Sequence, residues 1–374
     1  MGKNSKLTTL KMIFLDVLNF KTKHNKGNKM KTIMKTLLVS IASLSLMLSV
    51  NAGELSVSGT AKATYNMSSG TTADQGLGIT NELNFTASGE MDNGFTWSYS
   101  MELDPASGGA ANNDDTAITI GMNDMGTVKI CVSECGNNKK YAFDASAYTK
   151  MSDTGFSEGI VYPGDAGAAG TATIQYHTPE LPFGTTASIA YNTQVPGDAA
   201  SGNSTGATDT SQNSREEYSL VTKPIDGLTL SAHYNKVNDF ADGVDTEDQL
   251  EEGGAYGAKY SAGNFTIGYG KSFQAPELLS STATGTSVEY YENTGLSIGY
   301  AVNDELSVSY TREESEANQA HSSNTTYDIE MDSVQFAYSL GGATLSVARA
   351  DYENVGYAQN ADATETIVAM TFAF

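Results

Sequence analysis

Basic residues are scarce in this chain. Its 374 residues hold 21 Lys+Arg against 44 Asp+Glu, for a formal net charge of −23 and a pI near 4.4. A nucleic-acid binder needs a basic footprint on phosphates, so that class is set aside. Long apolar runs are missing as well. A polytopic helical membrane protein needs several of roughly 20 residues, and none is found. Cysteine occurs twice, tryptophan once and proline seven times. The mean hydropathy is −0.30, which by itself describes a mildly hydrophilic soluble protein. The order of the residues overturns that impression.

Nine lysines and a single acid, Asp16, fall within residues 1–52. From Met30 the sequence has a basic start, an apolar stretch over residues 37–48 and small residues ending in Val50-Asn51-Ala52. That is the pattern of a secretory signal peptide, with cleavage expected after Ala52. The apolar stretch is too short to span a bilayer as a helix. The expected organisation is therefore an upstream extension at 1–29, a signal peptide at 30–52 and the functional chain at 53–374. Without the leader, 12 bases face 43 acids and the net charge falls to −31.

The functional chain alternates with period two. In residues 94–104, Phe95, Trp97, Tyr99, Met101 and Leu103 share one face, and Thr96, Ser98, Ser100, Glu102 and Asp104 the other. Such a strand meets oil on one side and water on the other. Residues 227–237 and 366–374 behave in the same way. Short turns rich in Asx, Pro and Gly fall at 91–94, 123–126, 179–184, 224–227, 261–263, 302–305 and 340–342. Longer polar stretches separate them at about 67–75, 105–113, 133–170, 194–213, 239–251, 274–285, 316–325 and 354–361. Fifteen connections of alternating length predict sixteen strands.

This is the signature of an all-β transmembrane antiparallel barrel, with short turns at one end and long loops at the other. Closure is required, because an open edge in lipid leaves backbone groups unpaired. Ten tyrosines, among them Tyr65, Tyr176, Tyr234, Tyr256, Tyr269 and Tyr310, fall on the apolar face, where interfacial aromatics belong. A secreted soluble β protein also alternates, but its turns need not alternate short and long. Arg312 and Arg349 fall with the apolar residues near the long-loop rim, where they bind lipid phosphate or mark a β-bulge. Apolar residues in 328–338 change parity near Asp332, which suggests a bulge or a rim crossing.

Order and spacing resemble the general porins of Gram-negative outer membranes, in particular the alphaproteobacterial type. GELSVSGTAKATYN (53–66) looks like that family's first strand. ITNELNFTASGEMDNGFTWSYSMELD (79–104) looks like its second and third strands. AITIGMNDMGTVKI (117–130) and IQYHTPELPFG (174–184) are similar to later segments. The terminal Phe374 resembles the signal read by the barrel-insertion machinery. The resemblance implies a homotrimer in the outer membrane, in contact with lipid and lipopolysaccharide. It also implies passive diffusion of small solutes and ions through a water-filled lumen, narrowed by an inward-folded third loop. One departure stands out: the family's fifth strand usually ends Gly-Arg, and here Cys131-Val132 stands there. An arginine that would line the constriction is missing.

The third loop corresponds to residues 133–170. Asp144, Asp153 and Glu158 are its constriction candidates, since carboxylates in a narrow aperture select the sign of an ion. They could instead face bulk water or hold the loop to the wall. The polar face also carries Lys62, Lys129, Arg215, Lys223 and Lys259, opposed by Glu82, Glu102, Asp104, Glu217 and Glu289. Lys129 and Arg215 are the strongest wall candidates. The acidic balance predicts cation preference. A substrate-specific channel and a plugged structural or adhesive barrel are the competing readings. Gly59, Ala61 and Ala63 give the first strand a flat outer face suited to a trimer contact.

Catalysis finds no support. Past residue 52 the histidines are His177, His233 and His321, and the first two fall on the polar face rather than beside a lipid-facing serine. Gly270-Lys271-Ser272 mimics the end of a phosphate loop without its first glycine. Residues 112–115, an Asn-Asn-Asp-Asp run, read as a solvated loop with some capacity for calcium. No cofactor, resident metal or nucleic-acid partner is expected. Cys131 and Cys135 would lie roughly 13 Å apart on one continuous strand. A disulfide between them requires the strand to end between them.

Overall fold

The computed structural model describes residues 54–70, 75–105, 111–132, 142–149, 173–195, 213–238, 247–276, 278–279, 288–319 and 326–374. The expected leader, residues 1–52, lies outside them. The first strands are β1 (Glu54–Gly70), β2 (Gln75–Glu90), β3 (Thr96–Pro105), β4 (Ala111–Gly121), β5 (Thr127–Val132) and β6 (Thr173–His177). Next come β7 (Thr186–Val195), β8 (Asn213–Thr222), β9 (Leu228–Asn238), β10 (Glu247–Gln249), β11 (Glu252–Ala262) and β12 (Phe265–Ala275). The last are β13 (Leu278–Leu279), β14 (Val288–Ala301), β15 (Leu306–Gln319), β16 (Ile329–Ser339), β17 (Ala343–Glu353) and β18 (Ala363–Ala373).

Among the described residues, sixteen of these strands form one closed antiparallel barrel, and β10 and β13 pair as a small separate sheet. The expected strand number is therefore the observed one. Closure joins the two ends of the chain. The Gly59 amide donates to the Phe374 carbonyl at 2.8 Å, and the Phe374 amide donates back at 3.0 Å. That ladder satisfies edge groups that lipid could not.

Side chains sort by alternation. Tyr256, Tyr260, Phe265, Ile267, Tyr269, Tyr310, Phe336 and Tyr338 are exposed on the outer face. Ser231, His233 and Asn235 on β9, and Ser309, Thr311, Glu313 and Ser315 on β15, are buried on the inner one. The predicted short turns are the observed ones. Gly126 (φ +86°) and Gly227 (φ +76°) need the left-handed freedom of glycine. A Cβ on either would also overlap a backbone carbonyl, that of His177 or of Ser261. In the turn at 91–94 the Gly94 amide donates to the Met91 carbonyl at 2.8 Å.

Three expectations are corrected. Arg312 and Arg349 point outward with no bulge, because β15, β16, β17 and β18 pair in unbroken register around them. The parity change in 328–338 is not a bulge either. Ile329 and Met331 face inward and join Ala348, Ala350, Tyr352, Ala363, Ile367 and Ala369 in an apolar cluster on the inner wall. Tyr148, Val355 and Tyr357 cover it, which explains why apolar residues stand where water was expected. Residues 112–115 are not a loop but part of β4. The register does shift elsewhere, between Ser100 and Glu102 on β3, and between Val288 and Tyr290 beside Glu289.

Candidate functional site

Residues 142–149 lie along the inner wall, crossing from β9 to β16. Their backbone is held by wall side chains. The amides of Ala142, Ala145 and Ala147 donate to the hydroxyls of Ser231 (2.7 Å), Ser297 (2.9 Å) and Ser309 (2.8 Å). The Tyr148 and Thr149 amides donate to the Gln335 side-chain oxygen at 2.9 and 3.1 Å. Gln335 Nε2 returns a bond to the Thr149 carbonyl at 2.8 Å. Each bond of this kind is worth about 1 kcal/mol net, so their number is what fixes the strap. The inner face supplies them because its alternation places small hydroxyl residues on neighbouring strands.

Of the three loop carboxylates, Asp144 sits on this strap. Its Oδ1 accepts from the Ser146 amide (3.2 Å) and hydroxyl (2.6 Å), an Asx-type turn that shapes the loop. Asp153 and Glu158 lie outside the described residues. The wall bases divide by role. Lys62 stands over the Tyr148 ring, 5.9 Å from its centroid. Lys259 Nζ donates to the Asp144 carbonyl at 3.4 Å. Lys129, on β5, faces inward opposite Gln175 of β6. Arg215 also faces inward, but it is wholly buried and its Nη2 pairs with Glu251 at 2.8 Å. Its charge is cancelled locally, so its part in the wall is structural. Lys223 is exposed at a short turn.

The inner wall also carries acids. Glu82 lies opposite Thr60, whose hydroxyl donates to it at 3.3 Å. Glu102 follows Ser98 and Ser100 on the inward face of β3, and Glu217 faces inward on β8. Two more escaped the sequence reading. Glu313 and Glu365 are each 1% exposed and inward-facing, and Asn66 donates to Glu365. Glu313 was legible as the inward neighbour of Arg312. Among the described residues, no group of three or more His, Cys, Asp or Glu is placed to hold a metal ion. His177 and His233 face inward, His177 opposite Thr127 and within 2.9 Å of Gln175, and His233 opposite Ser219 on one side and Ala255 on the other.

The pattern of one known family, the Gram-negative porins, matches residues 37–373. The chain belongs to that family. No curated protein matches it. Several solved porins share its fold at low identity. OmpF of Salmonella typhi, in complex with daunomycin, is 14% identical, with a TM-score of 0.62 over 86% of this chain and 98% of that one. A loop-deletion form of OmpT, an outer-membrane protein of Vibrio cholerae, is 13% identical with a TM-score of 0.63, over 87% and 100%. The anion-selective porin of Comamonas acidovorans is 12% identical with a TM-score of 0.58, over 86% and 100%.

This porin is thus an outer-membrane protein whose barrel is a passive diffusion channel. Its outer wall carries an apolar band topped by charge. Arg312 sits at the top of that band and reaches three carboxylates. Nε and Nη1 lie 3.0 Å from Glu314 and Asp332, and Nη2 bonds to Glu330. Arg349 pairs with Asp351 at 2.7 Å and Lys271 with Glu292 at 3.1 Å. Arg312 is surrounded by acids, so it is a poor receptor for lipid phosphate. Beyond β17, Tyr357 turns in, its hydroxyl 2.8 Å from that of Ser315 and its ring 5.5 Å from that of Tyr291. Burial pushes the Tyr357 phenol up to about 12. Cys131 faces inward at the end of β5 and is disulfide-bonded; Cys135 lies outside the described residues.

Proposed function

We propose that this porin prefers cations and that the strap at 142–149 belongs to its narrowest part. One observation carries the reading: the imbalance of inward charge. Arg215 is neutralised by Glu251; among the described residues, the other inward-facing charged side chains include Lys62, Lys129 and Lys259 and, in larger number, the carboxylates Glu82, Glu102, Glu217, Glu313 and Glu365. Lys259 is drawn to the strap carbonyl of Asp144 rather than into open water. A channel with an excess of fixed carboxylates concentrates cations and repels anions. The anion-selective Comamonas porin has the same fold, so side chains and not architecture must choose the sign. Asp144 acts as a loop-shaping residue whose second oxygen adds to the field, and Asp153 and Glu158 are proposed to extend it.

The proposal includes the remaining parts of the assembly. Residues 30–52 direct export and are cleaved after Ala52; N-terminal sequencing of the protein from outer membranes checks this. Ala61 and Ala63 on the outer face of β1 form part of a homotrimer contact. The acidic rim meets lipopolysaccharide. Phe374, whose backbone closes the barrel, is read by the insertion machinery. Cys131 pairs with Cys135, the chain's other cysteine. Single-channel recording tests the open lumen, with discrete steps expected and their absence contradicting it. Solute competition during recording exposes any substrate-specific site. Reversal potential in a salt gradient tests the ion preference.

A further inference from the structure

The strap has a seat built from glycine. Phe143 is 1% exposed although it belongs to a loop inside a water-filled barrel. Its backbone lies on β12 and its ring on β14. A Cβ built on Gly268 would overlap the Phe143 carbonyl oxygen and stand 2.5 Å from the carbonyl carbon. A Cβ on Gly295 would stand 2.5 Å from Cε2 and 2.9 Å from Cδ2 of the Phe143 ring. The seat continues on both sides. Gly257 of β11 would meet the Ala142 carbonyl oxygen at 2.8 Å, and Gly299 of β14 would meet that of Ala145 at 2.7 Å. All four positions face inward. None is at positive φ, so the backbone does not require glycine there. What requires it is the close approach of a second backbone.

We propose that Gly268 and Gly295, by receiving Phe143, set the open cross-section of this channel. The strap lies as close to the wall as backbone contact allows. The serine hydroxyls and Gln335 hold it at that depth but do not define it, because hydroxyl rotamers and a long amide can follow a moved backbone. The wall glycines define the depth: any side chain there lifts the strap toward the axis. Pore size is therefore controlled by residues that never touch the permeating solute. This goes beyond ion preference and rests on the reading that the strap belongs to the narrowest part of the channel; the size of that aperture is independent of the sign of its charge.

The two glycines make different contacts, and that makes the proposal testable. Gly268 opposes backbone of Phe143, whereas Gly295 opposes its ring. Shortening the ring can relieve a methyl at 295 but not one at 268. Single-channel conductance is measured in symmetric salt on protein purified from membranes. The variants are Gly268→Ala, Gly295→Ala, Phe143→Ala and the two doubles with Phe143→Ala. Gly76→Ala serves as control, since Gly76 faces inward on β2 with open space where its Cβ would be. Both single glycine variants should lose conductance, roughly twofold, because current follows the narrowest cross-section. Phe143→Ala should restore it in the Gly295→Ala background and not in the Gly268→Ala background. The control should conduct like the parent. Unchanged conductance in both glycine variants would overturn the proposal, as would rescue that does not distinguish them. If Gly268→Ala does not fold into a heat-resistant barrel, the Gly295→Ala and Phe143→Ala pair decides alone.

Discussion

Gln335 and Thr149 bond to each other in both directions. The Thr149 amide donates to Gln335 Oε1 at 3.1 Å, and Gln335 Nε2 donates to the Thr149 carbonyl at 2.8 Å. A side-chain amide thus acts as one more strand partner for the strap. The same oxygen takes the Tyr148 amide, and Nε2 also lies 3.1 Å from the Ser333 hydroxyl. Gln335→Ala would leave part-buried backbone groups unsatisfied, at a cost of about 1–3 kcal/mol. The barrel should remain closed while the strap's far end loosens. Urea unfolding should show the loss of stability, and open-channel noise should rise.

The inward bases should not respond alike to substitution. Lys129 faces the lumen opposite Gln175, and Lys129→Gln should make the channel more cation-preferring with little loss of stability. Arg215 is wholly buried against Glu251. Arg215→Gln would break a buried ion pair, which costs about 3 kcal/mol or more. It should lower the unfolding midpoint while moving the reversal potential less than Lys129→Gln does.

Arg312 holds together three outward carboxylates, Glu314, Glu330 and Asp332. Arg312→Gln leaves them repelling one another at an exposed rim. The penalty should be on the order of 1 kcal/mol in dilute salt and should shrink at about 1 M salt, where the screening length falls to about 3 Å. Thermal denaturation at two ionic strengths checks this. An equal loss at both would mean that packing, not charge, is what Arg312 supplies.

Cys131 is disulfide-bonded, and Cys135 is its proposed partner. Denatured protein should take up no alkylating reagent until it is reduced, and should then be modified at both positions. Cys135→Ser should leave Cys131 open to alkylation without any reductant. Modification of unreduced parent protein would contradict the pairing.

Much of this fold was legible because lipid and lumen impose opposite chemistry on alternate residues. Thr96, Ser98 and Ser100 could be set against Trp97 and Tyr99 from order alone. The sixteen strands followed from the alternation of short and long connections. What escaped came from contacts between segments far apart in sequence. Ile329 and Met331 broke the parity rule because Tyr148, almost two hundred positions earlier, covers them and keeps water away. Asp144 was legible as a loop acid, but its turn with Ser146 depends on how the strap lies. The glycine seat did leave a trace. Gly257, Gly268, Gly295 and Gly299 recur on the polar face of adjacent strands, where a water-filled lumen needs no glycine. Their meaning becomes clear only once Phe143 is seen against them.

Reversal potential across a planar bilayer holding a salt gradient measures the ion preference of this porin most directly. The expected potential has the sign given by a cation-permeable pore. Asp144→Asn, Asp153→Asn and Glu158→Gln together should pull that potential toward zero. A clear anion-selective potential in the parent protein would contradict the account.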